Sequence, residues 1–281
     1  MLQFLESIIL GIVEGITEWL PISSTGHMLL LYDLFGIDPS TPFWEMYLVV
    51  IQFGAILAVI VTYFKRLWPF HRVDERKTGI YRVISKPKLI MWLKIVVSCI
   101  PAAIVGVFFD DWLEERLYKT PVIAFMLILV GVLFILVEDR NRGHRARVRK
   151  ISQISWTEAF LIGLFQLVAA VFPGTSRSGA TILGGVFLGL SRKCAAEYTF
   201  FLGVPVMFGA SLLKLVKFGG FSGSEIMVLL VGMMVAFLVS MVAIRFLMRY
   251  IQTHDFKIFG WYRIALGVIV FVWYFARLLA A

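Results

Sequence analysis

The sequence predicts an all-α polytopic membrane protein with an inverted-topology repeat, each repeat a re-entrant helical hairpin plus three transmembrane helices. Three observations carry that reading. The 281-residue chain is 60% hydrophobic, 15% aromatic and only 16% charged, more apolar surface than a soluble core can hide. Six apolar stretches each approach the ~20 residues that a helix needs to cross a bilayer. Finally, two polar segments, Pro21-Ile-Ser-Ser-Thr-Gly-His27 and Pro173-Gly-Thr-Ser-Arg-Ser-Gly179, interrupt otherwise apolar hairpins 152 residues apart.

That shift places Gly11 on Gly163, Glu14 on Gln166, Pro21 on Pro173, Ser23 on Thr175 and Ser24 on Ser176. Phe53-Gly54-Ala55-Ile56-Leu57 recurs as Phe208-Gly209-Ala210-Ser211-Leu212 with a small change of offset. Self-similarity of this kind marks an internal duplication. In chain order, residues 4–20 and 24–36 form the first hairpin, followed by crossings at 46–64, 89–109 and 121–137. Residues 157–172 and 177–190 form the second, followed by crossings at 195–213, 226–247 and 258–279. The whole of 1–281 is one integral membrane domain, with repeat one at 1–137, repeat two at 157–281 and a basic loop at 138–156 between them.

The hairpin helices are short, and Pro/Ser/Thr/Gly turns join them. Non-helical backbone at membrane depth survives only where protein or water satisfies its amides, so the two turns are expected to meet or to line a wet cavity. With three crossings per repeat, or five if the hairpins span fully, the number is odd and the second copy must be upside down.

Charge sets the orientation. Residues 65–88 carry eight Lys/Arg against Asp74 and Glu75, and residues 138–155 carry six against Glu138 and Asp139, which accounts for the whole +9 excess. Two short basic loops are the positive-inside signature of a membrane protein and argue against a nucleic-acid partner. With both loops cytoplasmic, Arg192, Lys193, Arg249 and Lys257 fall inside, and Asp110, Asp111, Glu114 and Glu115 fall outside. Both termini and the mouth of the first hairpin are then extracytoplasmic. The N-terminus lacks a basic n-region and a cleavage site, so the mature chain is expected to begin near Met1. Cys99 and Cys194 lie far apart in apolar stretches and read as free, buried thiols.

Glu14 and Glu18 stand one helical turn apart on an apolar helix, where an ionised carboxylate needs a cation, an arginine or water. They suit metal coordination or general acid/base work. After Pro21, the run Ser23-Ser24-Thr25-Gly26-His27 brings hydroxyls and amides to a helix start, where an anion is favoured. Ser24 and His27 are three positions apart and project from one face, a spacing that suits a nucleophile and its base. The second turn adds Thr175, Ser176, Arg177, Ser178 and Thr181, and the Arg177 fork among hydroxyls suits phosphate, the alternative being a structural salt bridge to Glu18 across the repeat interface. His71, His144 and His254 fall in cytoplasmic segments, which leaves His27 as the histidine at membrane depth. Lys94, Glu197 and Arg263 sit near helix ends and read as snorkelling or structural charges outside the site.

These residues resemble a known family. Glu14-x-x-x-Glu18 with Pro21-x-Ser-Ser-Thr-Gly-His27, and Pro173-Gly-x-Ser-Arg-Ser-Gly-Ala-Thr181, are similar to the motifs of the undecaprenyl-diphosphate phosphatases, the UppP/BacA bacitracin-resistance family. The resemblance extends to Ile51–Ala58 and Ala195–Leu202, so it covers essentially the whole chain. It implies a hydrolase of the bacterial inner membrane that converts undecaprenyl diphosphate to undecaprenyl phosphate, recycling the lipid carrier for peptidoglycan, with bacitracin resistance as a consequence. It also implies a divalent cation, Mg²⁺ or Ca²⁺, and an extracytoplasmic site, with functional positions at Glu14, Glu18, Ser24, His27, Ser176, Arg177 and Thr181.

On this reading Glu14 and Glu18 hold the metal, and Ser24, His27, Glu18 and Arg177 are catalytic. Ser23, Thr25, Gly26, Thr175, Ser176, Arg177, Ser178 and Thr181 bind phosphate. The polyprenyl tail stays among membrane lipids. Three routes fit: Ser24 as nucleophile with His27 as its proton acceptor, the favoured one; direct attack by His27; or water activated by His27. The sequence allows a homodimer without requiring one. The rival reading is a secondary transporter or flippase of a phosphorylated lipid, since broken helices in inverted repeats also serve transport.

Overall fold

The computed structural model describes residues 2–70, 73 and 79–280. Met1, Ala281 and, from the first basic segment, His71, Arg72, Asp74, Glu75, Arg76, Lys77 and Thr78 lie outside the described residues, as do the side chains of Arg82, Asp110, Asp111, Glu114 and Ala280. Ten α-helices and two short 3-10 turns make up the described fold, and no strand is present among these residues. The helices are α1 (Leu2–Thr17), α2 (Ser24–Phe35), α3 (Pro42–Leu67), α4 (Lys86–Leu117) and α5 (Thr120–Arg140), then α6 (Trp156–Val171), α7 (Arg177–Phe187), α8 (Arg192–Lys217), α9 (Gly223–Tyr250) and α10 (Lys257–Ala280).

Six of these, α3 to α5 and α8 to α10, are long and apolar enough to cross a membrane, and they coincide with the six predicted stretches. The chain is a multi-pass membrane protein. By contrast α2 has 12 residues and α7 has 11, each about 17 Å of helix against a hydrocarbon core of about 30 Å. Local sequence sets the ends. Pro42 opens α3 with Glu45 in its first turn, and Lys65 and Arg66 close it, complementing the dipole at both ends. Ser155 and Ser222 begin α6 and α9 with reciprocal bonds to Glu158 and Glu225, two capping boxes.

α1 lies on α9 and α6 lies on α4, while α5 and α10 pair with each other, as do α3 and α8. Gly11 and Gly163, which the shift of 152 residues aligns in sequence, explain the closeness of the first two pairs. A Cβ on Gly11 would stand 2.7 Å from the Gly232 carbonyl oxygen, and one on Gly163 would stand 2.6 Å from that of Ser98. Both short hairpins are thereby pressed against the long helices, with the core around Trp19, Ile22, Tyr198, Phe200 and Phe201 filling the space beneath the turns. The outer faces keep large apolar side chains exposed, among them Val107, Met234 and Val242, as lipid contact requires. Cys99 and Cys194 are free thiols, and Cys194 is buried as expected, whereas Cys99 is only half-buried.

Candidate active site at the two polar turns

The turns meet. Each enters its second helix through a serine in the left-handed region, Ser23 at φ 72° and Ser176 at φ 68°, the two non-glycine residues with positive φ among those described. This corrects the register read from sequence. A constant shift of 152 pairs Ser24 with Ser176, but the left-handed caps pair Ser23 with Ser176, because Gly174 (φ 87°) lengthens the second turn by one residue. Past the turn, Ser24 therefore stands opposite Arg177, and Gly26 opposite Gly179.

The two caps differ in use. Ser176 Oγ accepts the Gly179 amide at 3.2 Å and lies 3.1 Å from Ser178 Oγ. Ser23 makes no side-chain cap, and its buried hydroxyl has no partner. The amides that open α2, those of Ser24, Thr25 and Gly26, consequently lack the side-chain acceptor that α7 has, which is the arrangement an anion fills.

Across the turns, Arg177 Nη2 donates to Glu18 Oε1 at 2.8 Å, and both side chains are nearly buried. The other Glu18 oxygen accepts from Ser24 Oγ at 3.4 Å. α8 seats the arginine: Arg177 Nη1 donates to the Thr199 carbonyl at 3.0 Å and Nη2 lies 3.3 Å from Met207 Sδ. Between these two, a Cβ on Gly203 would stand 2.7 Å from the guanidinium. The guanidinium also lies over the Trp19 ring at 5.8 Å, and Trp19 is itself held edge-on by Phe200. Arg177 Nε is buried without a partner, a donor left available to an oxyanion.

His27 turns away from Ser24. Its Nδ1 lies 2.7 Å from the Ser23 carbonyl and its Nε2 lies 2.7 Å from Tyr262 Oη. The expected Ser24–His27 hydrogen bond is therefore not formed, because both ring nitrogens already have partners and Ser24 is directed to Glu18. Thr175 is buried with its hydroxyl unpartnered. Thr181 lies behind Arg177, donating to the Arg177 carbonyl at 2.8 Å and accepting from Thr199 Oγ1 at 2.9 Å.

Arg263, read from sequence as a peripheral charge, is fully buried between the turns. It donates to the carbonyls of Pro21 at 3.3 Å, Gly174 at 2.7 Å and Thr175 at 2.8 Å. Thr199, Gly203, Met207, Tyr262 and Arg263 are thus the residues that sequence reasoning missed. The first three recur every four residues and share a face of α8, a spacing that marks one surface of a helix.

Glu14 is buried one turn below Glu18, and its Oε1 has no hydrogen-bond partner. An orphaned carboxylate oxygen beside a second carboxylate suits a hard cation that takes its remaining ligands from phosphate and water. No group of three or more His, Cys, Asp or Glu that could hold a metal converges among the described residues.

Residues 7–269 match the family described as bacitracin resistance protein BacA. The chain belongs to that family. It is similar to the undecaprenyl-diphosphatase of Desulfitobacterium hafniense, 56% identical over 278 residues covering 99% of this chain and 98% of that one. It is likewise similar to undecaprenyl-diphosphatase 1 of Clostridium acetobutylicum, at 54% over 97% and 98% of the two chains. An undecaprenyl-diphosphatase of Enterococcus faecalis is 52% identical over 96% of each.

Proposed function

We infer that the chain hydrolyses undecaprenyl diphosphate to undecaprenyl phosphate and inorganic phosphate, recycling the lipid carrier for cell-wall synthesis and thereby conferring bacitracin resistance. Family membership over nearly the whole length supports the activity. One observation carries the site: Glu18 joins Arg177 on one oxygen and Ser24 on the other, beside the uncapped start of α2.

The terminal phosphate sits against the first amides of α2, with Arg177 neutralising its equatorial oxygens, while the tail remains in lipid between helices. Ser24 Oγ attacks the terminal phosphorus as Glu18 takes its proton. The bond from that phosphorus to the bridging oxygen breaks, and undecaprenyl phosphate leaves. Water then attacks the phosphoserine, releasing inorganic phosphate and restoring Ser24. Positioning and fixed charge carry most of the rate enhancement, as phosphoryl transfer requires. A divalent cation, Mg²⁺ or Ca²⁺, bound by Glu14 and Glu18 would supply further neutralisation of the diphosphate.

The two sets of five helices form an inverted repeat in the bacterial cytoplasmic membrane, divided at 1–137 and 157–281, with the basic loops inside and both termini and the site mouth outside. The charge distribution of the loops supports that orientation.

The test is phosphate release from undecaprenyl diphosphate in detergent micelles with Mg²⁺, Ca²⁺ or EDTA. Metal-dependent release by wild type is expected. No release from folded protein would overturn the phosphatase and leave transport of a phosphorylated lipid as the function.

A further inference from the structure

Ser23 is a β-carbon-bearing residue in the left-handed region, a conformation that persists only where the surroundings hold it. Its own hydroxyl contributes nothing to that hold. The turn is instead held through its carbonyls, and both clasps come from adjacent residues of α10. Arg263 takes the Pro21 carbonyl directly, and Tyr262 acts through His27, which takes the carbonyl of Ser23.

For a neutral imidazole, the hydrogen-bond roles along this relay follow from chemistry. A carbonyl oxygen can only accept, so His27 Nδ1 carries the proton. The neutral ring has no second proton, so Nε2 accepts from the Tyr262 hydroxyl. The two rings lie nearly parallel, 11° apart in plane with centroids at 5.6 Å, which fixes the imidazole in rotation as well. The second turn has Ala180 at the position equivalent to His27 and relies on the Ser176 cap. In the first turn the histidine replaces the cap.

We propose that Tyr262 is a positioning residue of the phosphatase site: it locks His27 as the Nδ1–H tautomer, and His27 in turn holds the Ser23 turn that aims Ser24 at Glu18 and leaves the α2 amides open to phosphate. This assignment rests on the phosphatase reading for its catalytic consequence. Holding the turn from the α10 side is what lets α2 begin uncapped, since a hydroxyl folded onto those amides would compete with the substrate.

Tyr262→Phe removes one hydroxyl and keeps the ring. It is expected to lower kcat about 10- to 100-fold, the usual effect of losing a group that orients a reacting one, with KM little changed. Because Tyr262 acts through His27, the Tyr262→Phe/His27→Gln double variant should be no slower than His27→Gln alone. A second readout needs no turnover. In ¹⁵N-histidine-labelled protein, with His27→Gln assigning the resonances, wild-type His27 should be protonated at Nδ1, and Tyr262→Phe should move the Nε2 resonance while leaving that proton in place. Losses that multiply in the double variant, a wild-type proton on Nε2, or an Nε2 resonance indifferent to Tyr262→Phe would each overturn the proposal. A wild type that released no phosphate would overturn the phosphatase reading, and the nitrogen resonances would still decide the Tyr262–His27–Ser23 arrangement.

Discussion

Arg177 of the second turn donates to Glu18 of the first at 2.8 Å, joining residues 159 positions apart in a nearly buried ion pair. That bond ties the two halves of the chain at the point where each helix is broken. Removing one partner of a buried pair leaves the other charge uncompensated, at a cost of about 3–5 kcal/mol. Glu18→Gln and Arg177→Ala should each lower thermal stability and abolish turnover. Arg177→Lys should fail too, losing at least ~100-fold in kcat, because an ammonium cannot serve Glu18, the Thr199 carbonyl and an oxyanion in one plane.

Gly203 leaves the space that the Arg177 guanidinium fills, since a methyl there would stand 2.7 Å from it. Gly203→Ala replaces glycine inside a helix, which by itself favours the helix. The expected result is a folded protein with Arg177 displaced, and a kcat reduced by about 100-fold for a shift on the order of 1 Å. Steady-state kinetics alongside a thermal melt separate this from unfolding.

Glu14 offers an unpartnered buried oxygen beside Glu18. Glu14→Gln keeps shape and removes charge, so the concentration of Mg²⁺ or Ca²⁺ giving half-maximal activity should rise about 10-fold or more, with the Arg177–Glu18 pair undisturbed. A titration of metal into EDTA-treated enzyme reads this directly.

Ser24 and Ser176 look equivalent by letter, and their variants should differ. Ser176→Ala removes the cap of α7 and should cost about 1 kcal/mol of stability. Ser24→Ala removes no cap and no backbone bond, so it should melt as wild type does and lose turnover; if it keeps most of its turnover, the serine nucleophile is wrong while the site stands.

Much of this was legible in the sequence. Apolar length alone located the six crossing helices, and the repeated Pro-and-Ser turns marked the two breaks that the fold brings together. Letter matching misjudged the second turn by one residue, since aligning Ser24 with Ser176 hides the extra Gly174 whose positive φ resets the register. Helical spacing placed Ser24 and His27 on one face of α2, but it is blind to other helices, and Tyr262 on α10 draws the imidazole away. Arg263 looked peripheral for the same reason. An arginine whose partners are three backbone carbonyls leaves no carboxylate in the sequence to pair it with.

The most direct measurement is phosphate release from undecaprenyl diphosphate by purified wild type and Arg177→Ala, in one detergent and with the same metal. The account predicts steady release by wild type and a loss of at least ~100-fold in the variant. Equal release by both would contradict a catalytic site at the meeting of the two turns.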